Sequence, residues 1–134
     1  MKLMFVALLL LLLPMSATAQ AVNPLSRCDQ AEYDKFKRMD CIDKLQKGVE
    51  LRVVALENKI VRDLEKLERT DSEAKNLELS KNFKDSQRAW REFTDRDCYS
   101  IHALPGANGM GGLIRDCAVI RYVQRERALK IRAK

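Results

Sequence analysis

Residues 41–69 read CIDKLQKGVELRVVALENKIVRDLEKLER, and apolar side chains recur in this stretch at steps of three and four residues. This spacing places them on one face of an α-helix. The side chains on that face are Ile42, Leu45, Val49, Val53, Leu56, Ile60, Leu64 and Leu67. We therefore predict a long amphipathic helix over residues 41–69 that turns this face toward the core.

Helical patterns continue on both sides of this stretch. Thr70, Asp71 and Ser72 interrupt the pattern, and either Asp71 or Ser72 is a suitable N-cap for a following helix. That helix ends between residues 98 and 103, and a shorter helix is predicted between residues 28 and 39. The helix that follows residues 70–72 has an apolar stripe, in which we expect Trp90 to be a core anchor. This stripe consists of Leu79, Phe83, Ser86, Trp90 and Phe93.

A last helix is predicted from Leu113 toward the C-terminus, because the glycine-rich residues 105–112 are unsuited to a helix interior. Tyr122 and Leu129 fall outside its predicted core face. That face carries Leu113, Cys117, Ile120, Gln124, Ala128 and Ile131. The chain contains no convincing alternating strand pattern. The predicted fold class is therefore all-α, a small bundle of three to four helices.

The first 19 residues have the pattern of a secretory signal peptide. Lys2 precedes an apolar run over residues 3–13, and Ala17, Thr18 and Ala19 form a small-residue cleavage site. We expect cleavage after Ala19, which leaves one domain over residues 20–134 with a net charge of +5 and no transmembrane segment. The expected location is periplasmic or secreted. A membrane channel, a multidomain enzyme and a cytosolic role are excluded on this interpretation.

The four cysteines fit an exported protein. An even number in a small exported chain indicates two disulfides, and four cysteines allow three pairings. Cys28 and Cys41 would lie about 20 Å apart on one straight helix, so pairing them requires a turn between them. Cys98 and Cys117 pair more easily, because the glycine-rich stretch lies between them. The cysteines lack the close spacing of a zinc site, and we predict neither a metal nor a cofactor.

Two segments of the C-terminal half carry a family resemblance. Residues 86–98 read SQRAWREFTDRDC, and residues 123–131 read VQRERALKI, with a glycine pair and Cys117 between them. Residues 86–131 resemble the lysozyme inhibitor LprI-like domain. Three positions depart from its pattern, namely Thr94, Leu113 and Gln124. The resemblance implies an exported, all-α, disulfide-linked binding module that inhibits lysozyme.

On this hypothesis the disulfides are Cys28–Cys41 and Cys98–Cys117, and the protein is not an enzyme. His102 is the one histidine of the chain. If the cysteines are paired, we can identify neither a Ser-His-Asp triad nor a Cys-His pair. The candidate binding loop consists of Asn108, Gly109, Met110, Gly111 and Gly112. The structural alternative is that these glycines supply positive φ beside a disulfide.

Polar residues around Trp90 have two interpretations. Gln87, Arg88, Asp95 and Arg127 form a candidate polar network. Such a network either fixes the helix orientation or lines a recognition site.

The net positive charge of residues 20–134 lies entirely on residues 113–134. Arg121, Arg125 and Arg132 form a candidate anion-binding strip on the last helix, for which a solvated face is the structural alternative. This strip supports an alternative function, namely binding of anionic lipid, lipopolysaccharide or an acidic protein in the envelope. The expected partners are therefore a lysozyme, another envelope protein or an anionic envelope surface, and nucleic acid is not expected.

Charge presents a difficulty for the lysozyme hypothesis. Animal lysozymes of the common type are strongly basic, and like-charged proteins repel one another. A locally neutral or acidic contact face would remove this difficulty. Asp95, Asp97 and Asp116 are the candidates for such a face.

Overall fold

The computed structural model describes residues 23–29, 34–100 and 111–134, and these residues form helices without any strand. Three helices are long and two are short. They are α1 (Ser26–Asp29), α2 (Lys35–Thr70), α3 (Ser72–Asn76), α4 (Leu79–Ser100) and α5 (Gly111–Arg132). The prediction of an all-α bundle is confirmed.

The long helices run up, down and up. Glu57 of α2 pairs with Arg91 of α4, whereas Glu65, further along α2, pairs with the earlier residue Lys84. α4 is therefore antiparallel to α2. In contrast, α5 is parallel to α2, because Arg52 bonds to Glu126 and Lys59 bonds to Ala133. The end of α4 and the start of α5 consequently lie beside the start of α2.

Side-chain caps set the bounds of α2 and α3. The Asp34 carboxylate accepts from the backbone N–H groups of Phe36 and Lys37, so α2 begins at Lys35 and not near residue 41. The helix predicted between residues 28 and 39 is replaced by α1 and the first turn of α2, and residues 30–33 lie outside the described residues. Of the two N-caps predicted for the next helix, Asp71 is the one used.

The helix predicted after Asp71 is divided into α3 and α4. Glu78 lies between them with φ of 46°, a left-handed conformation that interrupts a right-handed helix. Glu68 of α2 caps the new helix, since its carboxylate accepts from the Ser80 backbone N–H at 2.7 Å and the Ser80 hydroxyl at 2.8 Å. These hydrogen bonds lower the pKa of Glu68.

The apolar face of α2 lies in the core as predicted, except that Leu67 at its end is exposed. The first core cluster contains Val49, Val53, Ile60, Phe83 and Leu129. The second cluster lies nearer the start of α2. It contains Leu25, Cys28, Ile42 and Val119. The core is thus continuous along α2, and α5 contributes to both clusters.

The faces predicted for α4 and α5 require correction. Ser86 and Phe93 of the predicted α4 stripe are exposed, and Trp90, the predicted core anchor, is only half-buried. Most of the predicted core face of α5 faces solvent. Its exposed members are Leu113, Ile120, Gln124, Ala128 and Ile131. Val119 and Leu129 are buried instead, and Tyr122 packs against the first cluster.

None of the helices in the described part of the chain is long and apolar enough to span a membrane.

Two neighbouring residues of α5 test which face is buried. Leu129 is 0% exposed and Ile131 is 74% exposed. We expect Leu129→Ala to reduce the free energy of unfolding by about 2–5 kcal/mol, because it leaves a cavity in the core. Ile131→Ala is the matched control and should change it by less than about 0.5 kcal/mol. Urea unfolding of the oxidised protein measures both, and the reverse order would refute the observed face.

Candidate functional site

Both disulfides lie at the end of the bundle where α2 begins. Cys28–Cys41 joins α1 to α2, and Cys98–Cys117 joins α4 to α5, each with Cα atoms 5.6 Å apart. The predicted pairings are confirmed. We name this part of the molecule, the two disulfides and the helix ends they join, the disulfide end.

Arg38 of α2 connects the two linked pairs of helices. Its guanidinium donates to Asp29 of α1 at 3.1 Å and to Asp116 of α5 at 2.8 Å. The hydrogen bond to Asp116 is the largest influence on Arg38 and raises its pKa. Arg115 adds an ion pair to Asp43 at 3.3 Å. The disulfide end is therefore crosslinked by two covalent bonds and by ion pairs between three helices.

The candidate binding loop lies only partly within the described residues. Asn108, Gly109 and Met110 lie outside the described residues, whereas Gly111 and Gly112 form the start of α5. Residues 105–112 were predicted to lie outside the helix interior, so these two glycines extend α5 beyond its predicted start. A Cβ added at Gly112 would meet no atom within 4 Å, so crowding does not account for this glycine.

Apolar side chains are exposed near the disulfides. Phe36 is 71% exposed, Tyr99 is 67% exposed and Leu113 is 49% exposed. In sequence each lies within five residues of a disulfide cysteine. Exposed aromatic and apolar groups on a rigid support are typical of protein-binding surfaces.

The three acidic residues proposed for a contact face have different surroundings. Asp97 accepts from Arg121 at 2.5 Å, and Asp116 is held by Arg38. Asp95 is exposed. It makes no ion pair or hydrogen bond within the described residues. Asp95 alone of the three therefore offers an uncommitted carboxylate.

Trp90 is part of a contact between α4 and α5. Its ring packs edge-to-face against Tyr122, with centroids 5.1 Å apart, and the Arg125 guanidinium carbon lies 5.2 Å from the Trp90 ring centroid. Arg125 also donates from Nε to the side-chain amide oxygen Oε1 of Gln87 at 3.1 Å. Burial, and next the nearby Arg132, lower the pKa of Arg125. Burial also raises the pKa of the Tyr122 phenol. These contacts fix α4 against α5.

The four residues of the predicted polar network have separate surroundings in the structure. Gln87 bonds to Arg125, which lies outside the predicted network, and Arg88 pairs with Asp85 on the solvent side of α4. Arg127 is exposed on α5, as is Asp95 on α4. The structure does not bring these four residues together, because α4 and α5 meet along a face that includes Arg125.

The predicted anion-binding strip is also altered by this packing. Arg121 pairs with Asp97, and Arg125 is engaged by Gln87 and Trp90. Arg132 remains exposed. Two of the three arginines thus stabilise the bundle and do not form a free strip.

Several buried polar residues were missed by the sequence reasoning. Glu57 accepts from Arg91, and its second oxygen is buried without a partner in the described chain. Glu126 is buried, and its carboxylate accepts from Arg52 at 3.0 Å and from Lys130 at 2.7 Å. Glu126 lies three residues before the buried Leu129 and therefore on the same face of α5. This spacing would have indicated a buried carboxylate, but the predicted core face of α5 did not include Leu129.

A possible metal-ligand group, Asp97 with Cys98 and Cys117, does not fit a metal. The two sulfurs are bonded to each other, and a disulfide offers no thiolate ligand. His102 lies outside the described residues.

The model of the family described as lysozyme inhibitor LprI matches residues 28–129. The chain belongs to this family. The match extends from the first cysteine to Leu129, so it includes both disulfides and the Trp90 contact. No curated protein and no solved structure matches the chain.

The contact between Arg125 and Trp90 has a direct optical readout, because Trp90 is the one tryptophan of the chain. Arg125→Ala removes a partly buried donor, so we expect a loss of about 1–3 kcal/mol of stability. We also expect a red-shifted emission maximum as water reaches the ring. Arg127→Ala removes an exposed arginine of the same helix that does not act on Arg125, and it should change neither quantity. An unchanged spectrum in Arg125→Ala would contradict the contact.

Glu126 makes the free energy of unfolding depend on pH. Burial is the largest single influence and opposes ionisation, but hydrogen bonds from Arg52 and Lys130 outweigh it and lower the pKa of Glu126. Its stabilising contribution is therefore present above the ordinary carboxyl pKa and is lost as the pH falls through the lower folded value.

We expect Glu126→Gln to be less stable than the unmodified protein near neutral pH. The difference in unfolding free energy should shrink as the pH falls below the ordinary carboxyl pKa of 4.5, which urea unfolding at several pH values measures. Glu92→Gln is the control, since Glu92 is exposed and makes no ion pair in the described chain. A difference that grows with acid would refute this account.

Proposed function

We propose that this protein is an exported inhibitor of lysozyme that binds its target through the disulfide end. The observation that carries the proposal is the match of residues 28–129 to the lysozyme inhibitor family. The family and the disulfides together indicate a binding module of extracytoplasmic location. Removal of residues 1–19 as a signal peptide, and a periplasmic or secreted location, are part of the proposal.

The disulfide end suits the binding of a folded enzyme. Cys98–Cys117 and Arg38 fix the residues on both sides of segment 101–110. A segment with fixed ends loses less conformational entropy on binding than one on a flexible support. We therefore assign the principal contact to the loop residues Asn108, Gly109, Met110, Gly111 and Gly112. Phe36, Tyr99 and Leu113 add apolar area beside it.

Carboxylates neutralise three arginines of this end, which reduces the repulsion from a basic enzyme. Asp97 and Asp116 neutralise Arg121 and Arg38, and Arg115 is paired with Asp43. These arginines therefore do not present uncompensated positive charge to a partner. Asp95 remains available to a cation of the lysozyme, and an interfacial charge pair strengthens association.

A cell-wall lysis assay tests the proposal with variants of the oxidised protein. We expect dose-dependent inhibition of an animal lysozyme of the common type. Asp95→Lys and Met110→Lys each place a positive charge in the proposed contact and should raise the inhibitory concentration by about tenfold or more.

Asp85→Lys is the matched control. Asp85 is an exposed carboxylate of α4, ten residues before Asp95 and therefore about 15 Å further along the helix. This variant changes the net charge by the same amount and should inhibit like the unmodified protein. No inhibition at a large molar excess would overturn the function. Equal loss in all three variants would overturn the assignment to the disulfide end.

A further inference from the structure

A groove of about 490 Å³ lies between the segment before α1, α2 and α5. Its charged lining comes from three helices. Arg27 belongs to α1, Arg52 to α2, and Arg127 and Lys130 to α5, whereas Glu126 is the one carboxylate among the lining residues. The groove therefore carries a net charge of +3, and none of these residues belongs to the predicted anion-binding strip.

Two of the four cations are already engaged inside the protein. Glu126 accepts from Arg52 Nε at 3.0 Å and from Lys130 Nζ at 2.7 Å, and its second oxygen accepts from Arg52 Nη2 at 3.2 Å. This buried carboxylate holds both side chains in place. It consequently has little capacity left to neutralise a further cation.

The other two cations have no such partner. Arg27 and Arg127 are exposed, and neither makes an ion pair or hydrogen bond within the described residues. They come from helices α1 and α5 and line the same groove. Two unpaired guanidiniums beside a third arginine and a lysine form an arrangement that attracts an oxyanion.

We propose that this groove binds a phosphate ester. Arg27 and Arg127 would donate to the phosphate oxygens, while Arg52 and Lys130 add positive charge from their fixed positions. A phosphate monoester offers more acceptor oxygens and more negative charge than a carboxylate, which suits two guanidiniums from separate helices.

The rest of the lining accommodates the carbon part of the ester. Leu45 and Val123, which are partly exposed, contribute apolar surface to the groove. The groove volume of about 490 Å³ is many times the roughly 30 Å³ that one water molecule takes up in the liquid. The groove therefore has room for a phosphate group and for the carbon part of the ester. A sugar phosphate and the head of a phospholipid share this chemistry. The inference goes beyond lysozyme inhibition and does not depend on it.

Calorimetric titration of the oxidised protein with phenyl phosphate tests the site. We expect one binding site, affinity that falls as sodium chloride increases, and weaker binding of benzoate, which carries a carboxylate in place of the phosphate. Arg27→Gln and Arg127→Gln should each weaken phenyl phosphate binding by about tenfold. Arg62→Gln is the matched control, because Arg62 is an exposed arginine of α2 outside the groove, and it should bind like the unmodified protein.

A second measurement needs no variant. In NMR spectra of the unmodified protein, phenyl phosphate should shift the Nε–Hε signals of Arg27 and Arg127 and leave that of Arg62 in place. Vesicles of phosphatidylcholine with and without phosphatidic acid then distinguish a lipid headgroup from a soluble ester. Binding to phosphatidic acid vesicles much tighter than to phenyl phosphate assigns the site to lipid, and the reverse order assigns it to a soluble ester.

Three results would overturn the proposal. The first is no binding of phenyl phosphate at about 10 mM, a concentration at which even millimolar affinity is detected. The second is an equal loss of affinity in Arg62→Gln and the groove variants, which would indicate attraction to net charge alone. The third is equal affinity for benzoate and phenyl phosphate. Since none of these measurements involves lysozyme, their failure leaves the inhibitor proposal unaffected.

Discussion

The packing of α5 against α2 is the contact on which the rest of the structure depends. Both core clusters include a fully buried residue of α5, Val119 in one and Leu129 in the other. α2 spans 36 residues and cannot bury its apolar face alone. Because α5 runs parallel to α2, the chain must return to the start of α2 before α5 begins, and α4 provides that return.

This topology explains the location of the disulfides. Each cysteine pair joins an element to a neighbour near the start of α2, so both crosslinks and the Arg38 ion pairs stabilise the same end. The opposite end has no disulfide and is held by Glu68 with Ser80 and by Glu65 with Lys84. A small domain buries a modest core, and the covalent links add stability at this end.

The arginines have two roles that their sequence positions do not reveal. Arg121 and Arg125 fix α4 against α5, and Arg52 holds the buried Glu126. Arg27 and Arg127 remain available at the groove. The net positive charge of the last helix is therefore divided between internal contacts and a surface that can attract an anion. At the disulfide end, in contrast, Arg38, Arg115 and Arg121 are paired with carboxylates.

The amino-acid sequence was sufficient to predict the helical class, the buried face of α2, a cap at Asp71 or Ser72, the family and, through the family resemblance, the two disulfide pairings. These features depend on local periodicity, on short-range hydrogen bonds or on a motif with fixed spacing. The faces of α5 and the partners of its arginines were decided by packing. Apolar side chains occur all around α5, so its periodicity fits two faces, and contact with α2 and α4 selects the one with Val119, Tyr122 and Leu129. Similarly, the sequence contained the groove cations, but only the parallel arrangement of α2 and α5 places Arg27, Arg52 and Arg127 around one groove.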